Sequence, residues 1–386
     1  MIYNLVSPCH FGLESVLKRE ITDLGLTITR VEDGRVFYSG DESAIARANM
    51  FLRTTERVLL VVGEFTATTY DELFENTKAL EWSELMPVDA NFFITKASSI
   101  KSKLFSPSDI QRVMGKAVVE SMKRKYKVDY FPKTGIEYPI RTTINKDRVT
   151  VSIDTSGESL HKRGYRKLTA KAPITETLAA AIIMLTPWKR DRLLVDPFCG
   201  SGTFPIEAAM IGANIAPGIA RNFAGEGFDF IPRLAWHDAR IEARDLIIPD
   251  AGMTLQGYDI DGEIVKAARQ NAKLAGVDQY IHFQQRDMRE LSSPKQYGFI
   301  ITNPPYGERL EEKEALPYLY KAMGEAFSGL KNWSYFFITS YEDAEKYFGR
   351  KADKNRKIYN GMIKTYLYEY YGPKPPKRSE QEPPKQ

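Results

Sequence analysis

The chain has 386 residues, 43% of them hydrophobic and 27% charged, a balance that excludes an extended disordered polymer and leaves room for two or three separately cored domains. Lys and Arg number 54 against 50 Asp and Glu, so the formal charge of +4 does not by itself identify a polyanionic partner; local clusters must do so. With only Cys9 and Cys199, a disulfide-stapled scaffold is excluded, and His10, His161, His237 and His282 are too scattered for a zinc site, so no metal is expected.

The opening MIYNLVSPCHFGLESVL has no basic n-region and no long apolar run. The apolar stretch Ala179 to Leu185 falls far short of the ~20 residues that cross a bilayer, so the expectation is a soluble, cytoplasmic protein. Asn4 to Ser7 predicts a strand, Gly12 to Leu24 a helix with Leu13, Val16, Leu17 and Ile21 on one face, and Leu26 to Glu32 a strand. Asp33-Gly34 then turns the chain into a strand over Arg35 to Ser39, completing a small α+β unit over 1–58.

A second unit, 59–155, has expected strands at Phe92 to Ser98 and Arg148 to Ile153. Between them Ser106 to Asp109 opens a helix whose apolar positions Ile110, Val113, Met114, Ala117, Val118 and Met122 recur at helical spacing. Its opposite face carries Arg112, Lys116 and Lys123, with Lys101, Lys103, Arg124, Lys125 and Lys127 close by. Such a cluster is either a solvated face or a phosphate-binding one. A basic linker over 156–170, with His161, Lys162, Arg163, Arg166 and Lys167, leads to Lys171 and an apolar helix near Ile174.

From 171 to 372 strands and helices alternate as a parallel, helix-covered sheet requires. Strands are expected at Arg192 to Asp196, Thr254 to Asp259, Ile281 to Gln285, Gly298 to Thr302 and Tyr335 to Thr339, with helices at Phe204 to Ile211, Gly262 to Leu274 and Leu316 to Leu330. Arg356 to Tyr359 and Ile363 to Tyr370 predict a closing hairpin turned at Asn360-Gly361. The tail 373–386, rich in Pro and charge, cannot bury a core and is expected to be a flexible end.

Two segments carry chemistry. In LLVDPFCGSGTFPIEAAM a strand ends at Asp196, Gly200 and Gly202 let the backbone turn tightly, and a helix starts near Thr203 with its N–H groups facing the loop, a cradle for a nucleotide-like cofactor. Pro205 stands where a dinucleotide fingerprint needs its third glycine, and the Gly-Lys-Ser/Thr of a P-loop is absent. Asp259 suits ribose hydroxyls, although Asp261 could take that place or cap the next helix; Asp287 and Met288 suit an adenine. In the second segment, Asn303-Pro304-Pro305-Tyr306 follows the fourth strand. Prolines stiffen this loop, Asn303 and the Pro304 carbonyl offer acceptors to an amine, and Tyr306 offers a face for stacking.

The DPFCGSGT form resembles the first motif of class I S-adenosylmethionine-dependent methyltransferases. Nearly the whole chain resembles the bacterial THUMP-domain 23S rRNA guanine-N2 methyltransferases of the RlmL type, in their methyltransferase half only. KASSIKSKLFSPSDIQRVMGKAVVESM is similar to the THUMP signature, SLHKRGYRKLTAKAPITETLAAAI to the approach to the catalytic domain, and DPFCGSGTFPIEAAMIGANIAPG with TNPPYGERL to its cofactor and substrate motifs. The resemblance implies an α/β fold, a class I Rossmann-like methyltransferase domain preceded by ferredoxin-like and THUMP RNA-binding domains. It implies S-adenosylmethionine at Asp196, Phe198, Gly200, Gly202, Thr203, Asp259, Asp287 and Met288, and the target amine at Asn303 to Tyr306. Lys101, Lys103, Arg112, Lys116, Lys123, Arg163 and Arg166 are then the expected RNA contacts, with large-subunit rRNA or an assembly intermediate as partner. The same domain pair serves a tRNA guanine-N2 methyltransferase, and a catalytically inactive RNA-binding assembly factor is the alternative from another class.

Overall fold

The computed structural model describes residues 1–166, 174–307, 310–361 and 363–376. Of the expected features, Lys167 and Lys171 of the linker, Arg309 after the second motif and the tail from 377 onward lie outside the described residues. The chain divides into two units, Met1–Gly164 with Asn214–Ile247, and Tyr165–Ala213 with Ile248–Gln386.

In the first unit, alternation of apolar and polar residues makes strands and 3.6-residue periodicity makes helices. In order these are β1 (Tyr3–Pro8), α1 (Glu14–Asp23), β2 (Thr27–Glu32), β3 (Arg35–Gly40), α2 (Glu42–Phe51), β4 (Leu59–Thr66), α3 (Tyr70–Ala79), β5 (Asn91–Ile100), α4 (Pro107–Tyr126), β6 (Glu137–Asn145) and β7 (Arg148–Asp154). The strands form one seven-stranded sheet, β2-β3-β1-β4-β7-β6-β5. The two halves that look separate in sequence are joined by the antiparallel β1–β4 pair, Leu5 opposite Leu60 and Val6 opposite Leu59. Ser106 caps α4, its side chain accepting from the Asp109 N–H, and Ile110, Met114, Ala117, Val118 and Met122 are buried. Val113 is half-buried.

The second unit begins with α5 (Glu176–Leu185), β8 (Leu194–Asp196) and α6 (Thr203–Gly212). The span expected as one catalytic domain is interrupted at this point, because Asn214–Ile247 with its helix α7 (Arg233–Asp245) belongs to the first unit. Close backbone contact and rings hold it there: the Gly218 N–H donates to the Met50 carbonyl at 3.0 Å, and a Cβ on Gly218 would stand 2.8 Å from Met50 Cα. Tyr138 stacks on Phe228 with centroids 4.5 Å apart, and Arg47 grips Glu242 through Nε and Nη2 at 2.8 and 2.9 Å, while within the segment Trp236 stacks on Phe223 at 5.3 Å.

The second unit resumes with β9 (Leu255–Asp259), α8 (Gly262–Leu274), β10 (Ile281–Gln285), β11 (Phe299–Thr302), α9 (Leu310–Ser328), β12 (Ser334–Thr339), α10 (Ala344–Phe348), β13 (Lys354–Asn360) and β14 (Ile363–Tyr370). Its sheet runs β10-β9-β8-β11-β12-β14-β13, parallel through β12 and antiparallel at β14 and β13. The fully buried strands β8, β11 and β12 are near-continuous apolar runs, as burial on both faces demands. Among the described residues no helix is long and apolar enough to cross a membrane.

Candidate active site

Chain order in the second sheet reverses beside β8: β9 and β10 lie on one side and β11 on the other. Loops leaving the carboxyl ends of β8 and β11 therefore diverge and open a crevice, the place where open α/β sheets bind ligands. Asp196 ends β8 and is buried; its Oδ1 accepts from Thr302 Oγ1 at 2.5 Å and from the Phe198 N–H at 3.1 Å, tying the two loops together. Burial penalises the charged form and the Asp259 carboxylate adds repulsion, so the Asp196 carboxyl is pushed up to about 7 despite these bonds.

The glycine loop is set by its own backbone. The Cys199 N–H donates to the Tyr258 carbonyl at 2.8 Å, the Gly200 N–H to Asp259 Oδ2 at 3.0 Å, and the Gly202 N–H to the Cys199 carbonyl at 2.8 Å. Gly200 has φ +51 and faces open space, so a ligand can lie against bare backbone there. Gly202 differs: a Cβ would come within 3.0 Å of Phe283 and 3.1 Å of Ala268, so its missing side chain serves the packing of α6 on α8 and β10. Of the two aspartates left open by the sequence, Asp261 is engaged as the α8 cap, accepting from the Glu263 N–H at 2.9 Å. Asp259 is held by the Asp261 N–H on Oδ1 at 3.1 Å and lines the crevice. The Asp287 carboxylate caps the turn over Met288–Glu290 and binds the Arg289 guanidinium, with Nε 3.0 Å from both oxygens; those bonds hold its carboxyl below the usual range.

Across the crevice, the Asn303–Gly307 loop rests on Tyr320, whose hydroxyl bonds Thr339 Oγ1 at 2.6 Å and lies 3.5 Å from the Pro305 carbonyl. Tyr306 Oη accepts from Asn360 Nδ2 at 3.1 Å. Asn303 Oδ1 is buried with no hydrogen-bond partner among the described residues, an arrangement that native proteins keep rare unless a ligand completes it. Together these loops wall a cavity of about 670 Å³, within the usual span of cofactor pockets. Its wall includes every residue expected at the cofactor or the target amine except Gly202. Arg286, Arg289 and Tyr318 also line it, and the sequence does not single them out, because charge and aromaticity on a helix or turn carry no sign of which way they face.

The expected RNA contacts divide by burial. Lys101, Lys103, Arg112 and Lys116 are exposed and Lys123 is half-exposed, with Arg112 near Asp109 at 2.7 Å and Lys123 near Glu120 at 3.6 Å, surface pairs that hold little. Arg163 and Arg166 must be withdrawn from that set. Arg163 is 3% exposed and its guanidinium donates to the Leu160 and Arg53 carbonyls. Arg166 bonds the Ile174 carbonyl at 2.8 Å and Thr203 Oγ1 at 2.6 Å and pairs with buried Glu176 at 3.2 Å. In the sequence both look like part of a basic linker, because a run of cations does not reveal that carbonyls and a carboxylate enclose some of them.

Residues 163–369 match the family described as the RMKL-like methyltransferase domain. The chain belongs to that family. Residues 4–59 match the RlmL ferredoxin-like domain and 67–154 the THUMP domain, which is the fold class the motifs imply. This RMKL-like methyltransferase is 44% identical, over 98% of its length and 99% of the other's, to YpsC of Bacillus subtilis (strain 168), a provisionally named RNA methyltransferase. It is 32% identical to the ribosomal RNA large subunit methyltransferase K/L of Marinomonas sp. (strain MWYL1), over 96% of this chain and 53% of that protein, so it spans about half of that relative. Among solved structures, one described as a possible methylase from Clostridium difficile 630 superposes with TM-score 0.95 at 55% identity, covering 98% of this chain and 100% of that one. SMU.472, solved with S-adenosylhomocysteine, gives TM-score 0.91 at 43% identity over 97% and 99%. S-adenosylhomocysteine is the demethylated product of S-adenosylmethionine, the cofactor of this methyltransferase fold.

Proposed function

We propose that this RMKL-like enzyme methylates the exocyclic N2 amine of a guanine in large-subunit rRNA. The observation that carries the chemistry is the buried Asn303 Oδ1, without a hydrogen-bond partner among the described residues, at the wall of the cofactor cavity. An aromatic amine is a poor nucleophile because its lone pair is delocalised into the ring. Asn303 Oδ1 and the Pro304 carbonyl accept the two amine protons, which localises that lone pair and aims it at the cofactor side of the crevice. Tyr306 stacks on the base once it has left its own stack, and Asn360 fixes the Tyr306 hydroxyl. The N–C bond would form at the expense of the methyl–sulfur bond; amide and carbonyl groups are acceptors rather than bases, so the surplus N2 proton then leaves to water.

S-adenosylmethionine, when bound, supplies an electrophilic methyl carbon on a sulfonium. The residues present suit it: Gly200 offers bare backbone, Asp259 offers a positioned carboxylate for ribose hydroxyls, and Phe198 and Met288 offer apolar surface, with Asp196, Thr203 and Asp287 completing the wall. RNA as the substrate class is supported by the THUMP match and by the names of the relatives; guanine N2 rests on the resemblance of TNPPYGERL and its companion motifs. Mass mapping of nucleosides in rRNA and tRNA from a deletion strain tests the reading. Loss of one N2-methylguanosine from 23S rRNA is expected; loss from tRNA alone would reassign the substrate, and unchanged nucleosides in both would overturn the activity.

A further inference from the structure

Beside the cavity lies a surface that neither cofactor binding nor amine capture uses. Within the β13–β14 hairpin, Lys357 stands opposite Tyr366 and Tyr359 opposite Lys364. Residues two apart along a strand share a face, so these four form a checkerboard in which each cation has an aromatic neighbour both along its strand and across from it. Lys357 Nζ lies 5.2 Å from the Tyr359 ring centroid and Lys364 Nζ 5.1 Å from that of Tyr366. Both lysines are exposed and both tyrosines half-buried, so the rings are rooted while the charges remain in water. Lys364 also feels the charge of Glu342; the Arg356–Glu369 pair, at 2.5 Å, occupies the opposite face of the hairpin. The hairpin also touches the target loop directly, because Asn360 at its turn donates to Tyr306 Oη at 3.1 Å. Tyr318, 79% exposed, lines the same cavity as Tyr306 and extends the aromatic surface at its mouth.

We propose that the β13–β14 hairpin is a docking surface for the single-stranded RNA segment adjoining the methyl-acceptor nucleotide, with Tyr359 and Tyr366 stacking its bases and Lys357 and Lys364 meeting its phosphates. The proposal rests on RNA being the substrate. A nucleotide drawn into the cavity leaves its neighbours with uncovered base faces, and a lattice of rings interleaved with cations covers base and phosphate together. A duplex keeps its base faces stacked and offers the tyrosines nothing. Binding of a fluorescein-labelled oligouridylate to the full chain, followed by anisotropy across a KCl series, tests this, with an RNA duplex of equal length as comparison.

The Lys357→Ala, Lys364→Ala double variant is expected to flatten the slope of log affinity against log salt by about 1.4, since each single-strand phosphate contact contributes about 0.7. Tyr359→Ala should weaken single-strand binding about fivefold or more, and Tyr359→Phe should leave it unchanged. S-adenosylhomocysteine binding by calorimetry should stay at the wild-type value in each; should Tyr359→Ala lose it through misfolding, the exposed lysine pair decides. A wild-type slope and affinity in the lysine variant, while wild type binds RNA, overturns the hairpin proposal alone. Equal losses on duplex and single strand overturn the stacking role. Failure of wild type to bind any RNA, including 23S rRNA, overturns the substrate reading and this proposal with it.

Discussion

Asn303→Ala separates function from stability with opposite signs. In the wild-type fold, Asn303 Oδ1 is buried with no hydrogen-bond partner among the described residues, and an unsatisfied buried acceptor costs ~1–3 kcal/mol. Truncation removes that cost and gives back ~1 kcal/mol through lost packing, leaving the variant between neutral and ~2 kcal/mol more stable. For a unit of this size each kcal/mol moves the melting temperature by ~2–4 °C, so calorimetry should show an unchanged or raised midpoint. Turnover should fall ~10²-fold or more, the scale of losing one preorganised contact to the reacting group. S-adenosylhomocysteine affinity should hardly change, because the glycine loop and Asp259 lie across the crevice. Single-turnover methyl transfer with saturating cofactor and bound RNA reads the rate without product release. A near-normal rate would remove Asn303 from the chemical step; a midpoint lowered by several degrees would show that its amide is structurally satisfied in solution and that Oδ1 is not held open for a ligand.

Asp259→Asn keeps one acceptor for the loop N–H groups but discards the charge, so S-adenosylhomocysteine binding should weaken by ~1.5–3 kcal/mol, read by calorimetry; unchanged affinity in a folded variant would remove Asp259 from the cofactor. Asp196, whose carboxyl stands at about 7 in the fold against an ordinary 3.8, holds its proton longer when folded than when unfolded. Ligand-free stability should therefore fall as pH rises from about 4 to about 7 and level off above, by up to ~4 kcal/mol, and Asp196→Asn should flatten that slope in denaturant titrations; a slope retained in the variant would place its origin elsewhere. Arg163→Ala should destabilise the first unit by ~1.5–3 kcal/mol, since it strips hydrogen bonds from the Leu160 and Arg53 carbonyls, while folded protein keeps its RNA affinity and salt slope. A flattened salt slope with intact stability would return Arg163 to the RNA surface.

What could be read in the sequence is what local chemistry forces. Asp261 sits one residue before a helix and caps it; Ser106 does the same for α4; Asn360-Gly361 turns the last hairpin. The Asn303 loop is legible because two prolines leave its backbone few choices, and the crevice follows once β8 and β11 are recognised as strands with loops at their carboxyl ends. Resolution by sequence stops where the deciding partner is distant. Gly200 and Gly202 look equivalent as a pair in one turn, yet one faces open space and the other faces Phe283 and Ala268, from segments more than sixty residues away. Joining 1–58 and 59–155 into one sheet depends on Leu5 and Val6 meeting Leu60 and Leu59, and the assignment of Asn214–Ile247 to the first unit depends on Met50, Tyr138 and Arg47.

The basic residues show the same limit in its sharpest form. Arg163 and Arg166 have the composition of a phosphate contact and the surroundings of a core, whereas Lys357 and Lys364 are unremarkable in a strand-rich tail until the register sets them against tyrosines. Charge in a sequence measures supply. Only pairing determines which of those charges the fold has already used and which face a partner, so a basic surface has to be argued from cations that remain exposed beside a site, as Lys357 and Lys364 do on the β13–β14 hairpin.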